Sequence, residues 1–409
     1  MKDELRDRLA RLSALRPVTT FGPAAREPLA SPPHTDLLAQ LPGAECRNRY
    51  GRHIQVRKWF AAPRLPEISP RSIGRLFPGA DESILQPGKW LFLDTETTGL
   101  AGGTGTYAFL VGIAWWEEGG LVVQQYFMRD YDEEPSLLLE LARPLAERRI
   151  LVTFNGKSFD WPLLQTRYRI NRVTEFEEPV AHLDLLHPAR QLWRLRLNSV
   201  ALAELERRVL GIERGHDIPS ETIPRRYFDF LRGGPAGPVA EVFRHNQMDL
   251  CGLASLAVHI TALLHEPENC TGHAEDIFGI SKLLQRRGEN YLAGQMYQRA
   301  LEGKLPQKAM RKAQMELAVF ARRQRDFERS NNLWEQLLGD SPDGLHAYEQ
   351  LAIYYEHHAR EPVKAASLAR DALVSLREAL HAGRISQHQY RRWHTSFQHR
   401  LNRLTLKIR

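Results

Sequence analysis

The sequence predicts a mixed α/β sheet domain followed by an all-helical domain. Two patterns predict this. Residues 89–183 carry short apolar runs bounded by turn residues and interleaved with helical spacing. From about residue 274 onward only helical spacing remains, and it repeats.

Trp90–Leu93 is an apolar run that ends in Asp94. YAFLVGIAWW (107–116) is a second run, Gly119-Gly120 a hairpin turn, and LVVQQYFM (121–128) a third. Leu138, Leu141 and Leu145 then share one side of a helix over 135–148. Ile150–Phe154 is a fourth strand, Ser158 to about Ile170 a helix, and Val180–Leu183 a fifth strand. From there to about residue 264 the pattern is helical, broken by RGHDIPSETIP and RGGPAGP. A three-strand meander followed by alternating helix and strand gives a mixed sheet of five strands with flanking helices. This domain spans 89–265. Residues 1–88 read as an extension packed on it: a short helix, a Pro-rich stretch to residue 35, and a segment at 43–60 compatible with a hairpin turning at Tyr50-Gly51.

Over residues 274–380, ENYLAGQMYQRAL, RDFERSNNLWEQLL and EPVKAASLARDAL end at Leu301, Leu338 and Leu373. These spacings are near the roughly 34 residues of a tetratricopeptide helix pair, and three pairs are about the minimum for a stable stack. An ordinary helical bundle is the plainer alternative, but small residues recur in phase. Residues 384–409 hold basic residues and no acid, with Tyr390, Trp393 and Phe397 among them. That mixture suits phosphate and base contacts or a capping amphipathic helix, and capping is favoured.

Composition narrows the classes. Hydrophobic residues are 43 % and charged residues 26 %, as in globular proteins. No run of 18 apolar residues points to a membrane span, and the N-terminus lacks a secretory apolar stretch. Cys46, Cys251 and Cys270 form neither a CxxC pair nor a disulfide framework, which suits a reducing cytoplasm. The net charge of +7 suits a polyanionic partner without identifying one.

Three segments carry acids in suggestive places. In LFLDTETTGL (91–100), Asp94 and Glu96 stand at i and i+2 and so share a strand face. Two carboxylates held that close repel unless a cation lies between them, and hard oxygen ligands suit Mg²⁺ or Mn²⁺. In LVTFNGKSFDWPLL (151–164), Asp160 falls in the first turn of a helix, where the dipole alone would also favour it. In VFRHNQMDLCGLASLA (242–257), His245 and Asp249 share a helix face, as a surface pair would too. Together they match the needs of two-metal phosphodiester cleavage, with neutral His as a proton acceptor.

At these residues the sequence resembles the DEDD 3′–5′ exonuclease superfamily with its ribonuclease H-like fold. It resembles more closely the YprB-type ribonuclease H-like domain, often found with tetratricopeptide repeats. The resemblance covers about residues 88–265. It implies that Asp94, Glu96, Asp160 and Asp249 hold two divalent cations and that His245 stands in the place of the base. It further implies exonuclease action on the single-stranded 3′ end of DNA or RNA; the repeats suggest a protein partner, and no membrane is expected. An endonuclease on branched or hybrid substrates and a non-catalytic scaffold are the alternatives. One departure stands out. The superfamily commonly places His with four intervening residues before the last Asp, or Tyr with three; here His has three. His216 is the back-up base. Thr97, Asn155, Lys157, Arg225 and Arg226 are placed on the substrate side, and Asp184 is read as structural.

Overall fold

The computed structural model describes residues 37–61, 69–79, 82–99, 105–117 and 119–408. The helix and Pro-rich stretch expected before residue 36 lie outside them. A short α1 (Leu37–Gln40) precedes β1 (Gly43–Asn48) and β2 (Gly51–Ala61), and α2 (Pro70–Leu76) follows. Next come β3 (Trp90–Thr97), β4 (Ala108–Glu117), β5 (Gly120–Phe127) and α3 (Glu134–Glu147). Then come β6 (Ile150–Thr153), α4 (Asp160–Asn171), β7 (Ala181–Asp184) and α5 (Leu186–Trp193). A short α6 (Leu202–Leu205) runs into a π-helical turn at Glu206–Leu210. Two helices close the domain, α7 (Ile223–Leu231) and α8 (Gly237–His265).

The strands form one mixed sheet in the order β1-β2-β5-β4-β3-β6-β7, with β3, β6 and β7 parallel and the remaining neighbours antiparallel. The expected count of five is therefore corrected to seven. The hairpin at 43–61 does not merely pack on the domain: β2 pairs with β5 from Ile54↔Phe127 to Ala61↔Gly120. This satisfies the backbone edge that β5 would otherwise expose. Arg52, Arg57 and Lys58 keep the strand's outer positions charged, which masked its membership.

Period-two alternation sorts β3 between two cores. Trp90 and Phe92 enter one cluster, Leu91 and Leu93 the other. Both faces are covered, so β3 and β4 read as near-continuous apolar runs. Helix α8 joins the layers. Its Val239, Val242 and Phe243 belong to the Leu91 side, and its Leu250, Leu253 and Leu256 to the Trp90 side. Its length and apolar content would let it cross a bilayer, yet here it is the core helix of the sheet domain. His245–Asp249 occupies the crossover between the two sides. Helix α4 is anchored to α3 by a buried two-point ion pair, with Arg167 Nε and Nη2 donating to Glu134 at 2.6 and 2.5 Å.

The C-terminal region is helical: α9 (Ala274–Arg286), α10 (Asn290–Glu302), α11 (Gln307–Arg323), α12 (Phe327–Leu337), α13 (Pro342–His357), α14 (Pro362–His381) and α15 (Gln387–Ile408). Chain neighbours pack on one another, and Ala293, Ala313, Ala347 and Ala365 let the backbones approach. The chain takes a left-handed conformation at Gly288, Arg325 and Arg360, each closing one helix before its partner. Those turns recur after 37 residues (325 − 288) and 35 residues (360 − 325). Helix α15 buries Phe397 and Leu404, and its Arg400, Arg403 and Lys407 close on the buried Glu356 carboxylate at 2.7, 2.7 and 3.3 Å. Much of its basic face is thus spent inward.

The two regions share a core. Ile277, Ile280 and Leu284 of α9 lie in the same cluster as Trp90 and Leu250. Arg75 of α2 grips Glu289 through two bonds of 2.7 and 2.6 Å and donates to the Leu264 carbonyl. Gly279 is the close approach: a Cβ there would lie 2.4 Å from the Leu192 carbonyl oxygen of α5. Gly279→Leu is expected to push α9 off α5 and cost about 1–3 kcal/mol, as overpacking does. Chemical denaturation would register it; an unchanged midpoint would show that the junction carries no such constraint.

Candidate active site

The site is built where β3 and β6 end. Asp94 and Glu96 continue the Trp90–Phe92 face of β3, so alternation turns both carboxylates toward α8. Asn246 Nδ2 donates to Asp94 Oδ2 at 2.7 Å. Asn246 is itself fixed by Gln125 Nε2, which donates to its Oδ1 at 2.8 Å, while Gln247 donates to Gln125 Oε1. This chain of amides is buried and satisfied, so it locks α8 against β4 and β5 in one register. Gly112 makes room for it: a Cβ there would fall 2.0 Å from Asn246 Oδ1.

Asp160 arrives from the other side as the first residue of α4. The turn before it depends on Asp184, whose carboxylate accepts from the backbone N–H of Asn155, Lys157 and Leu186 at 2.8, 3.1 and 3.0 Å. Asn155 takes the left-handed conformation that this turn requires. Thr95, on the opposite face of β3 from Asp94, donates to Asp160 Oδ1 at 2.5 Å. The neighbouring Phe159 ring is exposed.

The third group comes from α8 and the loop after the π-helical turn. His245 Nδ1 lies 2.6 Å from Asp217 Oδ1, and its Nε2 lies 3.2 Å from Asp249 Oδ2 and 3.4 Å from Ser220 Oγ. Asp217 feels burial, which favours its acid form, but hydrogen bonds from His245 and Arg214 outweigh this and hold it below the usual carboxylate range. It is therefore an ionised acceptor, so Nδ1 carries a proton and Nε2 is the nitrogen that faces the acids. Arg214 bridges the remaining carboxylates. It holds Glu206 at 2.5 and 2.7 Å, Asp217 at 2.9 Å and Asp249 Oδ1 at 2.5 Å.

Glu96, His245 and Asp249 each offer a ligand atom, all within 4.8 Å of one another. The surrounding charge is unbalanced. Asp94 is pushed well above the carboxylate range by burial and then by the charges of Asp249, Glu96 and Asp160. Glu96 is raised likewise by burial and by Asp249, Asp160 and Asp217. Asp160 is raised by burial against the hydrogen bond from Thr95. Two carboxylates about 4–5 Å apart repel by roughly 3–4 kcal/mol at an effective dielectric of about 20. Enclosed oxygen donors with excess negative charge fit a hard divalent cation.

The other residues fall elsewhere. Thr97 donates to the Gly99 carbonyl, Asn155 shapes the turn, and Lys157 is exposed beside it. Arg225 is exposed near Asp229, whereas Arg226 ties α7 to α8 through Glu241 and the Pro238 carbonyl. His216 is exposed and 3.9 Å from Glu241, outside the cluster. Sequence reasoning missed Asp217, Arg214, Glu206 and Asn246. Asp217 and Arg214 flank His216 in the same loop, and Asn246 adjoins His245, so proximity was the available signal. Because burial and neighbouring carboxylates raise Glu96 and no described residue compensates it, Glu96→Gln should stabilise the protein in EDTA by about 1 kcal/mol. Thermal denaturation checks this, and a lowered midpoint would contradict it.

Comparison with known proteins agrees with this architecture. Residues 91–261 match the RNase_H superfamily. The chain is also 32 % identical over 291 residues to the uncharacterized protein YprB of Bacillus subtilis (strain 168), covering 69 % of this chain and 68 % of that one. A chain sharing that extent of sequence belongs to the YprB family, and its sheet domain is an RNase_H superfamily domain.

Proposed function

We propose that this chain is a DEDD-type 3′–5′ exonuclease that hydrolyses phosphodiester bonds of nucleic acid with two divalent cations. The observation that carries the reading is the convergence of Glu96, His245 and Asp249 within 4.8 Å, next to Asp94 and Asp160, whose charges press on the same spot. Asp94, Glu96, Asp160 and Asp249 would hold Mg²⁺ or Mn²⁺, which supply positive charge to the scissile phosphate and the departing oxygen. The chain's own residues do the rest. Asn246 aims the Asp94 carboxylate, Thr95 aims Asp160, and Arg214 aims Asp249. Asp217 fixes the imidazole so that Nε2 accepts the proton of the attacking water. The exonuclease mode and 3′ polarity rest on the sequence motifs and their resemblance. The left-handed turns at 37- and 35-residue intervals support reading the helical region as tetratricopeptide-like pairs that dock a protein partner. Nucleic-acid work in the cytoplasm fits the free cysteines.

The experiment is hydrolysis of 5′-labelled single-stranded DNA and RNA with Mg²⁺ or Mn²⁺. Products should shorten stepwise from the 3′ end. A circular strand, having no end, should survive; its cleavage would favour an endonuclease. Asp94→Ala should abolish release, and activity surviving that change would sink the reading. His245→Ala should cost at least about 10²-fold in kcat, as loss of a general base does. Asp217→Asn, acting through His245, should cost about 10–100-fold. Mn²⁺ should raise the melting temperature of wild type and leave that of Glu96→Gln nearly unchanged.

A further inference from the structure

Two clefts share one wall formed by α5. The first, of about 370 Å³, lies between α5 and α9 and is lined by Arg190, Arg194, Phe278, Lys282 and Arg286. The second, of about 610 Å³, runs from the same Arg190 and Arg194 past Val200 to Phe154 and Asn155. The two clefts adjoin at Arg190 and Arg194, and the second ends at Asn155, which begins the turn that presents Asp160.

Their walls are basic. Buried or bridging arginines such as Arg75, Arg167, Arg196 and Arg214 all pair with carboxylates. Among the described residues, Arg190, Arg194, Lys282 and Arg286 pair with none. Arg190 and Arg194 are four apart, as are Lys282 and Arg286, so each pair lines one wall. Lys282 is held below the usual ammonium range by burial and then by the like charges of Arg286 and Lys312. Four cations packed without counter-charge favour a polyanion. The apolar surface between them is small: Phe278 lines the first cleft but is buried, and Leu195 is 40 % exposed at its rim. Cations along both walls fit a strand whose phosphates face them.

We propose that the two adjoining clefts form one groove that binds single-stranded nucleic acid and guides it between the helical region and the carboxylate cluster, an assignment that rests on the nuclease reading for its direction of travel. The helical region then contributes to substrate binding in its own right. An acidic peptide is the competing occupant, but it would have no reason to end at a phosphodiester-cleaving centre.

The test uses the full chain in EDTA and the anisotropy of a labelled DNA or RNA strand of about 20 nucleotides. The variants are Arg190→Glu with Arg194→Glu, Lys282→Glu with Arg286→Glu, and their Gln counterparts. Each reversed pair should bind at least about tenfold more weakly, and the slope of log affinity against log salt should shrink by roughly 0.7 for each phosphate no longer neutralised. The Gln pairs should fall between, with melting temperatures near wild type. Variants that bind like wild type would overturn the proposal. So would groove-dependent binding of poly-glutamate or of phosphatidylserine vesicles at the affinity of the strand. Hydrolysis of the p-nitrophenyl ester of thymidine 5′-monophosphate by wild type reports the carboxylate cluster alone. If that hydrolysis is absent while strand binding still depends on the groove, the nuclease reading fails and the groove stands.

Discussion

Asp94, Glu96, Asp160 and Asp249 are held where they repel one another, and much of the domain exists to keep them there. Left free, such carboxylates would separate toward water. The sheet prevents that for Asp94 and Glu96, because their backbone is central in it, paired to Gly112 and Leu110 of β4. The buried Arg167–Glu134 pair prevents it for Asp160 by fixing α4 to α3. The amide chain from Gln247 to Asn246 prevents it for Asp249 by fixing α8. Each restraint is made away from the cluster and satisfied there, so the strain at the centre is carried by structure that is itself stable. Sites for ions are expected to store unfavourable charge in this way, since the same field that destabilises the empty cluster attracts the cation.

How much of this was legible follows from the range of each interaction. Asp94, Glu96 and Asp160 stand where an apolar strand or a turn ends, a purely local pattern that the sequence displays. The central strands were found for the same reason, since burial on both faces leaves unbroken apolar runs. The β1–β2 hairpin was placed but not joined to the sheet, because Arg52, Arg57 and Lys58 gave it the look of a surface segment. Arg214, Asp217 and Glu206 were missed altogether. Arg214 and Asp217 meet partners 35 residues away (249 − 214) and 28 away (245 − 217), and Glu206 meets Arg214 across the end of the π-helical turn, 8 residues on (214 − 206). No period of two or 3.6 residues encodes such meetings.

The helical region follows the same logic at larger scale. Its turns recur in sequence, so its internal order was legible. Its attachment was not, because Gly279 meets Leu192, and Arg75 meets Glu289 and Leu264, only after both parts have folded. A shared core makes α9 as much a wall of the sheet domain as the start of the array, and it is this fusion that lets one groove touch both.

The spacing of His245 is where sequence and structure inform each other most. Three residues lie between His245 and Asp249, and a fourth would turn the imidazole by about 100° about the helix. With three, His245 and Asp249 lie one turn apart on the same face, and Nε2 reaches Asp249 directly. Helix geometry alone would leave the other nitrogen without a partner. The loop after the π-helical turn supplies it, bringing Asp217 to Nδ1 and Arg214 to Asp249. The spacing and the loop thus form one device: the helix sets where the imidazole stands, and the loop sets which of its nitrogens faces the acids.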